Sequence, residues 1–370
     1  MKITDVTAEL YAKPYDTPIS NGKYTYTASK SVVVRISTDD GLEGFGICGA
    51  GGIAATADGD ATIATVNDMR QALIGEDPRN VERIWESLYQ PKIFGRKGLT
   101  TRAISAIDIA LWDIVAKSFE CPLYQVLGGF TDEVRAYIAG GYYAEGKGLS
   151  ELQDEMLGYV EQGANAVKMK VGAVPLREDE VRIRAVRDAI GPEIDLLVDA
   201  NNAYVQADAV RMARILEEYD AFWFEEPVSP DNMRGSAATA RSSTVPVAAG
   251  ENEYTRWGFR ELLETGAVDI LNPDAMVLGG ITEYRKVAAL AAAYEIPIAP
   301  HGLQEVHIHL LAAFPMPLIL EFYNPNVAGL NEVMFHEKLE LTERGTVRLP
   351  QGPGLGMQVN WDGLREYLVA

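Results

Sequence analysis

Eight short apolar runs recur through the middle of this chain, and from the second onward each ends on residues that can ionise. They occupy residues 134–139, 166–171, 194–198, 221–224, 245–248, 268–271, 296–299 and 318–320. Helix-period patterns fill most of the gaps, as at 178–190, 207–218 and 282–294. Strands alternating with helices on this scale are βα units, and eight of them predict a closed (β/α)8-type, TIM-like barrel. The linker at 140–150 is long and Gly-rich, so one unit is expected to depart from the regular alternation.

In such a barrel the C-terminal strand ends meet on one face, where the active site forms. The second run carries Lys168 and Lys170, and the third stops at Asp199-Ala200-Asn201. The fourth stops at Glu225-Glu226, the fifth at Glu251, the sixth at Asp274, the seventh at His301 and the eighth at Glu321. Asp199, Glu225 and Glu251 recur at intervals of 26 residues, one βα unit each. Three carboxylates converging at strand tips repel one another unless a cation joins them. An all-oxygen set favours Mg²⁺, with Mn²⁺ as a substitute, over Zn²⁺. Separate helix caps or ion pairs would explain any one of the three, but not the trio in register.

Lys168 and Lys170 flank Met169 on a strand, so alternation sends both ammonium groups to the same face. Two such groups side by side are expected to lower each other's pKa toward roughly 7–8, the range of a general base. Lys170, nearer the tip, is the candidate base, and Lys168 the holder of a substrate carboxylate. A structural salt-bridge pair is the plainer alternative. Asp274 and His301 end neighbouring strands, and a carboxylate behind an imidazole suits acid–base work. The second and seventh strands lie across the ring, which places Lys170 and His301 on opposite faces of one substrate. Glu321 can donate to a substrate carboxylate only if protonated, as a crowded anionic site can enforce. His307, His309 and His336 are expected to be structural.

Ahead of the barrel, alternating apolar runs within residues 1–36 predict antiparallel strands, and 62–118 reads as helical. Strands followed by helices indicate a separate α+β domain. A polar, Tyr-rich loop at 17–30 and a Gly/Ala-rich loop at 46–60 are expected within it. Gly44–Gly49 fits GxGxxG, but no parallel βα unit surrounds it, so dinucleotide binding is not expected. With 33 basic against 53 acidic residues the net charge is −20, which argues against nucleic acid or anionic membranes as partners. No run reaches the roughly 18 apolar residues of a membrane helix, and no signal peptide is visible. Cys48 and Cys121 form no redox or metal motif and read as reduced core thiols of a cytoplasmic protein.

The Lys-x-Lys pair, the three carboxylate tips and the Asp–His pair together resemble the mandelate racemase subgroup of the enolase superfamily. The resemblance spans essentially the whole chain, through AISAIDIALWD (103–113), VDAN (198–201), WFEEP (223–227), AGEN (249–252), NPDAM (272–276) and PHGLQE (300–305). It implies Mg²⁺ on Asp199, Glu225 and Glu251 with Glu226 behind them, and Lys170 and His301 as the acid–base pair with Asp274 orienting His301. It implies substrate contacts from Lys168, Asn201 and Glu321. It also implies an α+β capping domain (residues 1–125), a modified (β/α)7β barrel (126–330) and a C-terminal stretch (331–370) returning to the cap, in a homo-oligomer of two to eight chains. Tyr24 and Tyr26, in a loop that would close over the site, are candidate substrate contacts, with surface packing as the alternative.

Every reaction in that subgroup begins by removing the proton next to a carboxylate, through an ene-diolate. The leading expectation is dehydration of an acid sugar, an aldonate or aldarate, to a 2-keto-3-deoxy acid. Racemisation or epimerisation of a 2-hydroxy acid is the main alternative. Cycloisomerisation of an anhydro-sugar acid or sugar-acid lactone is a third, since HGLQE (301–305) also resembles such enzymes. A Schiff-base aldolase using Lys170 is disfavoured by the carboxylate trio, and a non-enzymatic binding protein with a relic site is the remaining alternative.

Overall fold

A computed structural model describes residues 1–50 and 57–369 of the chain; positions 51–56 of the loop expected at 46–60 lie outside the described residues. Strands β1 (Ile3–Ser20), β2 (Thr25–Thr38) and β3 (Glu43–Gly49) form an antiparallel meander. Helices Ala57–Leu73, Val81–Leu88, Pro91–Phe94 and Leu99–Ser118 follow. The last is buried continuously from Ala103 to Ala116, because one side packs on the sheet and the other on the barrel. Gly46 shows how close the sheet comes: a Cβ there would stand 1.8 Å from the Ala106 carbonyl oxygen. The GxGxxG glycines thus serve helix-on-sheet packing.

The loop expected at 17–30 is instead the end of a long hairpin. β1 and β2 pair as far as Ser20 with Thr25, after a register shift between Pro14 and Ile19. Alternating Thr and Tyr at 24–27 favour extended backbone, and only residues 21–24 turn. Asn21 builds that turn, its Oδ1 accepting the N–H groups of Lys23 and Tyr24 at 2.9 and 2.7 Å. The linker at 140–150 contributes to the same sheet, since β5 (Tyr143–Ala144) pairs with Ile19–Ser20. This holds the hairpin over the barrel mouth.

The barrel strands are β4 (Glu133–Ala139), β6 (Ala166–Lys170), β7 (Asp195–Asp199), β8 (Ala221–Glu225), β9 (Val247–Ala249), β10 (Ile270–Leu271) and β11 (Leu320–Tyr323). All pair in parallel with their neighbours, and β11 pairs with β4. The expected seventh strand is reduced to single bridges, from Ile298 to Leu271 on one side and to Pro317 on the other. Pro297, Pro300, Pro315 and Pro317 crowd this stretch, and each removes a ladder donor. Those bridges still close the ring. Helices follow each of the first seven segments, the last being Gln304–Ala313, whereas β11 has no covering helix of its own. The result is the (β/α)7β form.

β12 (Thr346–Arg348) pairs antiparallel with the start of β4. The chain then reaches the cap, where Tyr367 accepts the Ala12 N–H and Val369 donates to Leu10. Cap and barrel also meet through polar groups on the helix Leu99–Ser118. Asp108 accepts from the N–H and hydroxyl of Thr282, Trp112 Nε1 donates to that hydroxyl, and Ser105 accepts the Gly279 N–H. Among the described residues no helix is long and apolar enough to cross a membrane.

Candidate active site

Strand register assembles the site. Lys170 on β6 pairs with Asp199 on β7, and Asp199 with Glu225 on β8, so the three form one row across adjacent tips. Glu251 follows the end of β9. Carboxylate oxygens of Asp199, Glu225 and Glu251 lie within 4.8 Å of one another. Burial, with Asp199 and Glu251 nearby, pushes the Glu225 carboxyl up to about 8 despite Lys168, and Glu251 is raised as well. Glu251 Oε2 is buried without a hydrogen-bond partner. An all-oxygen cluster whose members repel, with an orphaned inward oxygen, fits a hard divalent cation.

Both lysines point into the barrel while Met169 is buried in the helical layer. Lys168 is fully buried; its Nζ donates to Glu225 Oε1 and Oε2 at 3.1 and 2.9 Å and to Tyr137 Oη at 3.1 Å. Glu321 Oε1 lies 2.7 Å away. Lys170 Nζ is hydrogen-bonded to Asp199 Oδ2 and lies 5.1 Å from the centre of the Tyr142 ring. The expected lowering of the Lys170 pKa is not found. Burial and Lys168 act in that direction, but the ion pair with Asp199 outweighs them and raises it.

His301 approaches from the other end of the cluster. Its Nε2 lies 3.4 Å from Glu251 Oε2, and its Nδ1 is 3.0 Å from Asp274 Oδ2. Burial lowers the imidazole pKa, but Glu251, Glu321 and Asp274 together raise it to about 10. Asp274 is held in place by the Met276 N–H on its Oδ1, and the imidazoles of His301 and His307 keep its pKa below the usual range against burial. His307 accepts the Ala275 N–H at Nε2 while its Nδ1 meets the Leu303 carbonyl. It is structural, as expected, yet it braces the turn that carries Asp274.

Glu321 departs from expectation. Burial favours its neutral form, but Lys168 and His301 hold its pKa down at about 2, so it is ionised rather than a donor. Its Oε2 accepts the Gly302 N–H at 3.1 Å. Asn201 adopts a positive φ of 42°, and its Oδ1 is buried and unpartnered beside the row. Glu226, also at positive φ, accepts from Asn202 and Asn252 at 2.8 and 2.7 Å; burial raises its pKa, and Glu251 and Asp199 lie close enough for their charges to raise it further. Tyr26 faces the site: burial and Tyr142 raise its phenol pKa, and it feels the charges of Lys170, Glu251 and Asp199. Tyr24 does not join them, being 52% exposed beneath the Lys23 ammonium.

Sequence reading missed three partners. Tyr137 receives Lys168, Trp223 Nε1 donates to Glu225 Oε2 at 3.1 Å, and Tyr323 Oη lies 3.3 Å from His301 Nε2. Trp223 and Tyr323 each stand two residues from a site carboxylate on the same strand. The alternation that located the lysines would have found both.

The family described as "Mandelate racemase / muconate lactonizing enzyme, N-terminal domain" matches residues 4–128, and "Enolase C-terminal domain-like" matches 151–363. The chain is 37% identical to the arabinonate dehydratase of Saccharolobus solfataricus, covering 91% of this chain and 90% of that one. It is 35% identical to the D-galactarolactone cycloisomerase of Agrobacterium fabrum, covering 99% of each. The structure of L-talarate/galactarate dehydratase from Salmonella typhimurium LT2, liganded with Mg and L-lyxarohydroxamate, superposes with a TM-score of 0.91 at 32% identity, over 100% of this chain and 93% of that one. These matches run the length of both domains and agree with the arrangement of the strand tips: the chain belongs to the mandelate racemase subgroup of the enolase superfamily.

Proposed function

We propose that this chain is a Mg²⁺-dependent acid-sugar dehydratase, converting an aldonate or aldarate to a 2-keto-3-deoxy acid. The observation that carries this reading is the approach of Lys170 and His301 to opposite ends of one carboxylate cluster, Lys170 on Asp199 and His301 on Glu251. Relatives that dehydrate arabinonate, galactarate, xylonate, rhamnonate and galactonate support it.

Asp199, Glu225 and Glu251 would hold the cation. Bound there, Mg²⁺ supplies positive charge that offsets both the charge developing on the substrate carboxylate and the pull of Asp199 on the Lys170 proton. Lys168, fixed by Glu225, Glu321 and Tyr137, presents its ammonium to the same carboxylate. Lys170 Nζ takes the proton from C2, giving the ene-diolate. His301, held protonated by Glu251, Glu321 and Asp274, gives its Nε2 proton to the departing C3 hydroxyl, and water leaves. The enol product then takes a proton at C3 and releases the proton of its C2 hydroxyl to become the 2-keto acid. For the opposite C2 configuration His301 is the base, a role that requires its neutral form.

Incubation with a library of aldonates and aldarates in Mg²⁺ should yield semicarbazide-reactive products that are one water lighter. Exchange of the C2 proton in D₂O with no loss of water would instead establish an epimerase, which bases on both faces also suit. A product of unchanged mass from a lactone or anhydro-sugar acid would establish a cycloisomerase, as in the Agrobacterium relative.

A further inference from the structure

Arg102 stands in the first turn of the helix Leu99–Ser118, where the cap meets the barrel mouth. Its Nε donates to Tyr254 Oη at 3.3 Å, and Tyr254 lies three residues beyond Glu251. Asp274 and Cys48 are near enough for their charges to act on it. The guanidinium therefore lies between the tips of β9 and β10 and the end of β3, on the His301 side of the site.

What sets Arg102 apart is its lack of an acidic partner. No carboxylate among the described residues comes within the 4.0 Å of an ion pair, and residues 51–56, Gly-Gly-Ile-Ala-Ala-Thr, contain none. Of the buried or paired cations around this mouth, Lys168 is committed to Glu225 and Glu321, Lys170 to Asp199, and Lys97 to Glu253 at 2.6 Å, while Lys23 on the hairpin tip is exposed and lies over the Tyr24 ring. In a chain with 20 more acidic than basic residues, a partly buried arginine whose Nη groups have no partner among the described residues is unusual. Its planar fork matches a carboxylate through two parallel hydrogen bonds. Lys168 and the carboxylate trio, on the other side, serve the end of the substrate that reacts.

We propose that Arg102 receives the distal carboxylate of the substrate, so that the preferred substrates are sugar diacids rather than sugar monoacids. This rests on the acid-sugar reading and narrows it. Neutral hydroxymethyl ends cannot make the charged pair, and they leave the guanidinium without its counter-ion.

The test compares galactarate with galactonate, which share the configuration of their C2 to C5 hydroxyls and differ at C6, together with shorter aldarate–aldonate pairs. Wild type should favour the diacid of the productive pair by roughly 10- to 100-fold in kcat/KM, the range for a hydrogen-bonded charge pair. Arg102→Gln should remove the preference by raising KM for the diacid, leaving the monoacid constants within about twofold; Arg102→Lys should restore part of it. A wild-type preference for monoacids, or an equal loss on both substrates in Arg102→Gln, overturns the inference while leaving the acid-sugar reading intact. Should neither class turn over, that reading fails, and calorimetry with Lys170→Met protein in Mg²⁺ still decides this one. Tighter binding of galactarate than galactonate that depends on Arg102 supports it, and equal binding overturns it. A thermal melt of each variant identifies any that fails to fold.

Discussion

Each ionisable side chain in the proposed centre is set by its immediate neighbours. Lys170 is kept protonated by Asp199 and His301 by three carboxylates, so each base needs a change of local charge before it can accept a proton. Lys170→Met and His301→Asn should each lower kcat by roughly 10²- to 10⁴-fold. Each should also abolish C2-proton exchange with D₂O on one face only, read by NMR on a pair of C2 epimers. Loss of exchange on both faces from a single substitution would falsify the two-base arrangement. His309 offers a separate test. It is fully buried, with Nε2 on the Leu355 carbonyl and Nδ1 unpartnered, and burial lowers its pKa from 6.5 to about 4. A depressed pKa means stability that is present above about pH 6.5 and lost as pH falls toward 4, worth roughly 3 kcal/mol at full extent. Tm should drop across that window in wild type. His309→Gln, which keeps an N–H for Leu355, should flatten the slope.

Elements bring these residues together through close backbone approaches that tolerate little change. At the hairpin tip, a Cβ on Gly22 would meet the Val171 carbonyl at 2.6 Å and the Ala203 Cβ at 2.7 Å. The tip thus lies directly on the chain that follows Lys170 and Asn201. Gly22→Val should lift the hairpin, raising KM several-fold and leaving Tm nearly unchanged. Gly46→Ala is expected to behave oppositely, because its Cβ would collide with helix backbone in the core of the cap. That overpacking should cost about 1–3 kcal/mol in chemical denaturation, with KM unaltered in the protein that remains folded. The hairpin also shows where sequence patterning misleads. A polar, Tyr-rich stretch reads as a loop, yet two-residue β5 from a distant linker gives β1 a second partner. Conversely, residues 296–299 read as a strand, and prolines reduce the pairing to single bridges.

The whole molecule depends on two junctions, cap to barrel and cation to carboxylates. At the first, burial raises Asp108 to about 7 although it accepts two hydrogen bonds from Thr282. Asp108→Ala leaves the Thr282 N–H without that acceptor and should lower stability by roughly 1–3 kcal/mol. The same segment, Gly279–Thr282, continues from the helix that Asp274 caps, so a modest fall in kcat should accompany the loss. At the second, saturating Mg²⁺ should raise Tm and EDTA should lower it. The expected gain is about 2.7 kcal/mol at 100 times Kd, and it should vanish in Glu251→Gln if that carboxylate is a ligand.

Much of this centre was legible in one sequence because barrel geometry is periodic. Asp199, Glu225 and Glu251 recur once per βα unit, and a Lys-x-Lys pair on a strand has only one face to share. Local spacing therefore determined the fold, the carboxylate trio and the opposed pair Lys170 and His301. Tertiary structure decided what depends on neighbours remote in sequence. Asp199 overrides the mutual repulsion of the lysines, Lys168 ionises Glu321, β5 orders the hairpin, and Arg102 meets no carboxylate among the described residues. Electrostatic free energy depends on distances of a few ångströms between residues scores of positions apart, and those distances exist only once the chain has folded.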